Sequence, residues 1–250
     1  MKKIYKDNYN KIGICRVDKF FSYSQIERLR KYVNYIEKTE PKKGEIAKYF
    51  EENISKEKKN ILMRAEYFYD YHSGLKDLIN SKKIKKYLKY LINYECSLFK
   101  EKINYKSPGS RADKLHQDSQ GGWGKYAQNF ISILISLDKS VKENGCLEFD
   151  ISGNNCKELI GEKWKPLKVQ NLKNPKFKKF ELNIGDVVFF NNFVPHRSGP
   201  NLSKMKRRQI YLTYNRNIDG NFRKSYFYSK RKNFPPNNER SNEKKYKYLV

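Results

Sequence analysis

The chain has 250 residues, 38% hydrophobic and 15% aromatic, and its 54 Lys and Arg stand against 27 Asp and Glu for a formal net charge of +27. That apolar content builds a core of ordinary size, so disorder throughout is excluded, and the length allows one generous domain or two small ones. So basic a chain attracts nucleic acid, anionic membrane surfaces or acidic small molecules, although the abundance of Lys, Asn, Ile and Tyr, residues of A/T-rich codons, also fits a merely solvated surface.

In chain order, MKKIYKDNYN is followed by no apolar run of signal-peptide length, and the longest apolar stretches, such as Ile131 to Leu137, are too short to span a membrane. A cytoplasmic location is expected. Ser24-Gln25-Ile26-Glu27 reads as a capping box, and Ile26, Leu29, Val33 and Ile36 predict a helix over 24–38. The charge-rich stretch 37–59 reads as a loop with a short helix. Leu75, Leu78, Ile79, Ile84, Leu88 and Leu91 give a second helical pattern, interrupted at Asn80-Ser81. Beyond residue 100 the texture changes to apolar runs at 130–137, 146–151 and 186–194, separated by Gly, Asn, Asp and Pro, as in a sandwich or barrel. From Arg223 onward the basic sequence with Pro235-Pro236 reads as an extended tail laid over the domain or partly disordered. Cys15, Cys96, Cys146 and Cys156 show no CxxC spacing and read as reduced, packed thiols.

Chemistry is sought among the scarce residues. Of only three histidines, His72 has no acidic or His partner at ligand spacing and reads as ordinary. His116 opens His116-Gln117-Asp118, and on a strand residues two apart share a side, so an imidazole and a carboxylate would converge. With His196 they supply two imidazoles and one carboxylate, the facial triad of non-haem Fe(II) oxygenases. Arg207, eleven residues after His196, offers a bidentate fork for a carboxylate. In so basic a chain this pattern alone does not separate a metal triad from coincidence.

The residues around it carry a family resemblance. GICRVDKFFSYSQIERLRKYV, LKDLINSKKIKKYLKYLIN, KLHQDSQGGWGKY, SILISLDKSVKENGCLEF and ELNIGDVVFFNNFVPHRSGPNLSKMKRRQIYLTYN occur in an order that resembles the phytanoyl-CoA dioxygenase-like group of Fe(II)/2-oxoglutarate oxygenases. The resemblance implies a mainly β fold, a double-stranded β-helix (jelly roll, cupin-like) core with N-terminal α-helices. It implies one oxygenase domain over 1–250, with 1–100 a mainly helical flank, 101–222 the core with the metal site and 223–250 a basic tail. It makes His116, Asp118 and His196 the Fe(II) ligands, and Arg207 with Ser198 the partners of the distal carboxylate of 2-oxoglutarate. O2 is the other cosubstrate, and a substrate C–H bond is hydroxylated with release of succinate and CO2.

If Arg207 faces the barrel interior, alternation places Gln209, Tyr211 and Thr213 on the cavity side and Arg208, Ile210 and Leu212 away from it. Trp123 and Tyr126 are expected at the mouth of the site or in the core, and Arg64 and Lys114 as contacts for an anionic substrate group. Asn144, Gly145 and Asn201 read as turn residues. After CLEF the family often has a Pro-Gly-Ser-His turn where this chain has Asp150 to Asn155, so the loop there is left open. FRKSYFYSKRKNFPPNNER is similar to the tail of bacterial members that hydroxylate 2-aminoethylphosphonate, which makes that zwitterion the candidate among small anionic or zwitterionic substrates. An oxygenase of nucleic acid and a non-catalytic basic jelly roll are the alternatives, but Arg207-Arg208 does not match the demethylase arginine pattern, and the lysines form no single stripe.

Overall fold

The computed structural model of the chain describes residues 1–55, 59–241 and 246. The order is α1 (Lys3–Ile12), β1 (Ile14–Val17), α2 (Tyr23–Lys38), β2 (Ala47–Glu52), β3 (Asn60–Glu66), α3 (Ser73–Ile79), α4 (Lys82–Ile92), β4 (Cys96–Lys106), β5 (Asp113–His116), β6 (Phe130–Ser136), β7 (Leu147–Asp150), β8 (Phe177–Phe180), β9 (Val187–Asn191), β10 (His196–Ser198), β11 (Arg207–Arg216) and α5 (Arg223–Asn233). The strands form a seven-stranded sheet, β1-β9-β6-β11-β4-β3-β2, and a four-stranded one, β5-β10-β7-β8. This two-sheet arrangement is the jelly roll that the resemblance implies.

The apolar runs are nearly continuous because the large sheet is covered on both faces. Ile133, Ile135, Phe189, Ile210 and Leu212 point outward into a core with Ile26, Leu29, Val33 and Ile36 of α2 and Leu75, Ile84 and Leu88 of α3 and α4. Their alternates Leu134, Val188 and Tyr211 point inward and meet Leu147 and Phe149 of the small sheet. Each fully buried aliphatic or aromatic side chain in these layers contributes about 1.5–3 kcal/mol.

The helix over 24–38 begins one residue earlier, and its capping box is Ser22 with Gln25, because Ser22 holds the extended backbone an N-cap needs. The interruption at Asn80-Ser81 is a break between two helices, with Ser81 capping α4 and the His72 ring capping α3. Two readings are corrected. The stretch 37–59 holds β2, paired antiparallel with β3, so the first hundred residues add strands to the large sheet as well as helices. No apolar alternation marks β2 because its charges are held individually: Lys48 donates to the Glu37 carbonyl (2.9 Å) and Glu51 pairs with Arg111 (2.9 Å).

The second correction concerns residues from 223 on, which begin with helix α5 rather than an extended tail. Arg223 reaches Glu101 (2.6 Å) and Asp70 (2.8 Å), and Tyr226 and Phe227 join Phe99, Trp123 and Phe130 in a separate core. The tail positions 242–245 and 247–250, like 56–58 of the earlier loop, lie outside the described residues. All four cysteines are free. Among the described residues no helix is long and apolar enough to cross a membrane.

Candidate metal centre

The site is built where the two sheets converge. β10 pairs with β5 so that His196 stands opposite His116, and with β7 so that His196 also stands opposite Phe149. The imidazole centroids are 4.3 Å apart, and Phe149 and Phe190 flank the His196 ring. The strand expected to carry both His116 and Asp118 ends at His116, and Asp118 opens a short 3-10 turn. A turn, not strand alternation, brings the carboxylate round. Gln117, between them and fully buried, fixes this turn: its side-chain amide donates to the Glu158 carbonyl (2.8 Å) and its oxygen accepts from Ile160 N (2.8 Å).

One ligand atom from each of His116, Asp118 and His196 lies within 4.8 Å of the others, the one such group of His, Cys or acidic residues among the described residues. Each histidine turns Nδ1 to a carbonyl two residues back, His116 to Lys114 O (2.7 Å) and His196 to Val194 O (3.0 Å). Both therefore present Nε2 to the site, as carbonyl-anchored metal histidines do. Burial, with the neighbouring His116 ring, pushes His196 down to about 4 despite Asp118, so it is neutral near pH 7. Burial acts to raise Asp118, but His196, Lys102, His116 and Lys100 outweigh it and hold its carboxyl below the usual range. Its Oδ2 also accepts from Ser132 Oγ (3.3 Å), which shares a hydrogen bond with Thr213 (2.9 Å).

Strands β11 and β4 supply the polar floor of the cavity. Their register sets Lys106 beside Arg207, Asn104 beside Gln209, Lys102 beside Tyr211 and Lys100 beside Thr213, and directly opposed residues share a face. The alternation expected from Arg207 is present, since Arg208 turns away to bond Asp138 (2.8 Å) while Ile210 and Leu212 enter the helix-side core. Arg207, 1% exposed, donates to the Gln209 side-chain oxygen, which also accepts from the Tyr211 hydroxyl (2.9 Å). Arg207 Nε and Gln209 Nε2 are buried donors with no hydrogen-bond partner among the described residues. Ser198 lies between Lys106 and Asp113, hydrogen-bonded to both.

The loops that present His196 are held by turn residues. Asn144 accepts from Val141 N and donates to the Lys139 carbonyl (both 2.8 Å). Gly145 has φ +74°, and a Cβ there would lie 2.3 Å from the Gly199 carbonyl. Buried Asn201 donates to the carbonyls of Lys106 and Met205 (both 2.8 Å).

Two pockets meet at the triad. His116, His196, Arg207, Tyr211 and Lys114 line one, and His116, Asp118, Trp123, Lys100 and Lys230 the other, while Arg64 and Lys102 border both. Of the residues singled out in the sequence, Tyr126 is not at the site: it packs on Phe99, Phe222 and Tyr226. Trp123 is both core and pocket wall. Lys100, Lys102 and Lys230 were missed, although Lys100 and Lys102, two apart on β4, share one face of the strand and were a usable signal.

Two imidazoles and a carboxylate beside an open pocket are the donor set of a facial Fe(II) site, and the unpartnered donors of Arg207 and Gln209 suit a carboxylate cosubstrate. The fold and this site define a non-haem Fe(II)/2-oxoglutarate-dependent dioxygenase. The chain belongs to the phytanoyl-CoA dioxygenase (PhyH) family, which matches residues 9–209. It is 33% identical to a 2-aminoethylphosphonate dioxygenase of the uncultured bacterium HF130_AEPn_1, covering 98% of this chain and 92% of the relative. It is 30% identical to the methylphosphonate hydroxylase of Gimesia maris, over 91% and 86% of the two chains. Among solved structures it resembles EctD from S. alaskensis with 2-oxoglutarate and 5-hydroxyectoine, with a TM-score of 0.75, 15% identity, and 88% and 77% of the two chains covered. The carbocyclase SnoK from nogalamycin biosynthesis gives a TM-score of 0.70 at 16% identity, over 86% and 83%.

Proposed function

We propose that this enzyme hydroxylates a small phosphonate, with 2-aminoethylphosphonate as the first candidate and methylphosphonate as the second. The observation that carries the reading is the 33% identity over 98% of the chain to a dioxygenase of the former compound. In this reading His116, Asp118 and His196 hold Fe(II), and Arg207 with Ser198 receives the distal carboxylate of 2-oxoglutarate. Bound Fe(II) and 2-oxoglutarate supply the oxidising chemistry that converts O2, cosubstrate and substrate to hydroxylated product, succinate and CO2.

The chain's share is placement. The Nδ1 bonds to Lys114 and Val194 carbonyls fix the imidazole planes, and Ser132 orients the Asp118 carboxylate. Arg207, with an unpartnered Nε, lines the pocket shared with His116 and His196, so one carboxylate of a dicarboxylate would be received there and its direction set. Trp123 and the aromatic layer behind it exclude water from the substrate side. The reading is tested by measuring succinate formation by the Fe(II) enzyme with a panel of phosphonates, amino acids and acyl-CoAs. Stimulation by phosphonates is expected; a panel in which only non-phosphonates stimulate turnover overturns it.

A further inference from the structure

We propose that Lys100 and Lys230, set on either side of the buried carboxylate Glu66, form the cradle for the substrate's phosphonate group, which makes helix α5 part of the substrate site. The proposal rests on the phosphonate reading above and adds the residues that carry its specificity.

Location is the first argument. Lys100 and Lys230 line the pocket that contains Asp118 and His116 and take no part in the one that contains Arg207. They therefore stand on the side of the triad away from the 2-oxoglutarate end of the cavity.

Charge is the second. Glu66 is fully buried, Lys230 is ion-paired to its Oε2, and Arg64 Nε and Lys100 Nζ lie 3.4 and 3.9 Å from its Oε1. Three cations share one carboxylate. The neighbouring Lys102 makes no ion pair among the described residues, its ammonium standing 4.5 Å over the Tyr211 ring. At 3.9 Å Lys100 is too far from Glu66 for a hydrogen bond, and its ammonium faces the rings of Trp123 and Tyr226 at 5.5 and 5.7 Å. Burial acts to raise Glu66, yet Lys230, Lys100 and Arg64 outweigh it and hold the carboxyl well below its usual range. Burial pushes Lys100 and Lys230 below the ordinary lysine value although Glu66 opposes it, a cost that a further anion seated between the two ammonium groups would relieve. Near neutral pH a phosphonate brings more than one charge and three acceptor oxygens, enough to take a donor from each lysine, where a single carboxylate brings one charge and two oxygens.

The third argument comes from the chain itself. The family match ends at residue 209, whereas Lys230 lies on α5 beyond it. Arg223, bonded to Glu101 and Asp70, anchors the first turn of α5, and Lys230 enters the pocket two turns later. A segment outside the shared core is a reasonable place for the part of the site that varies with substrate.

The test is anaerobic calorimetry of 2-aminoethylphosphonate and methylphosphonate binding to the Fe(II)·2-oxoglutarate enzyme, with wild type, Lys100→Met, Lys230→Met and Lys230→Arg. Losing one charge-assisted contact predicts about 10- to 100-fold weaker phosphonate binding for each Met variant, with 2-oxoglutarate affinity unchanged and Lys230→Arg recovering most of the loss. Lys100→Met keeps the Lys230–Glu66 pair, so it serves as the folded control if Lys230→Met unfolds. Phosphonate binding by Lys100→Met equal to wild type overturns the cradle while leaving the phosphonate reading intact. A wild type that binds neither phosphonate, yet couples 2-oxoglutarate turnover to another compound, overturns the reading and the cradle with it.

Discussion

Replacing Arg207 should make the empty protein no less stable while nearly abolishing its grip on 2-oxoglutarate. The side chain is 1% exposed, with Nε unpartnered and a neutral amide as its hydrogen-bonded neighbour on the same strand. Without a carboxylate to face, a buried guanidinium contributes little or unfavourably, so Arg207→Met is expected to hold or raise the melting temperature of the protein without cosubstrate. With 2-oxoglutarate the balance reverses. A lost bidentate pair that strands the ligand's carboxylate in a buried site costs about 3–5 kcal/mol, or roughly two to three and a half orders of magnitude in affinity. Arg207→Lys keeps the charge and one contact, and about 2 kcal/mol, roughly 30-fold, is expected. The KM for 2-oxoglutarate from succinate formation, an anaerobic titration and melting curves with and without cosubstrate read these effects separately. A KM within about twofold of wild type for Arg207→Met, in a protein that folds, would refute the reasoning.

Asp118→Ala removes the sole carboxylate of the triad, so bound iron and succinate formation should both fall by more than about 100-fold, beyond the loss typical of an outer-shell partner; metal analysis of the purified variant checks it. Gly145→Ala forces a side chain into positive φ and against the Gly199 carbonyl, and should cost about 2 kcal/mol or more, a fall in melting temperature of about 4–8 °C. Asp138 accepts from Arg208 N (2.9 Å), Nε and Nη2 (both 2.8 Å) and from Arg30 Nη2 (3.1 Å). Burial acts to raise its carboxyl, but these arginine contacts hold it below the ordinary value. Its folded value being depressed, its stabilisation is present above about pH 4 and is lost as pH falls through the folded value. Asp138→Asn should therefore cost about 2 kcal/mol at pH 7, and denaturant midpoints measured downward from pH 5 should show the gap to wild type closing; a gap independent of pH would count against it.

The strands 130–136 and 187–191 were legible because both their faces are buried, which leaves an unbroken apolar run between turn residues. The triad was legible because histidine is scarce here and because the segments around His116 and His196 carry the family resemblance; the offset of Arg207 alone would not have singled it out in so basic a chain. Strand β2 was hidden by charges that are individually partnered, as with Lys48 and Glu51, and such partners are invisible before the fold exists. Helix α5 was hidden because its buried residues include Arg223, a cation in place of an apolar anchor, so its inward face carries little hydrophobic signal. Lys100 and Lys102 were not singled out because a cavity-lining strand inverts the usual rule that alternate charged residues face water. The +27 charge therefore has a local component at the site.

The position of β11 bears on how the protein is made. It lies between β6 and β4 in the large sheet, yet it is the last of the three to be synthesised. A nascent chain that has released His116, Asp118 and His196 already holds every triad residue. Its large sheet is still two separate halves, β1-β9-β6 and β4-β3-β2, with no strand between them. Joining them requires pairings between residues about a hundred positions apart, such as Lys106 with Arg207, the kind of non-local closure that makes β-rich domains fold slowly. Completion of the barrel, and with it stable capture of the metal, is thereby deferred until translation has passed residue 216.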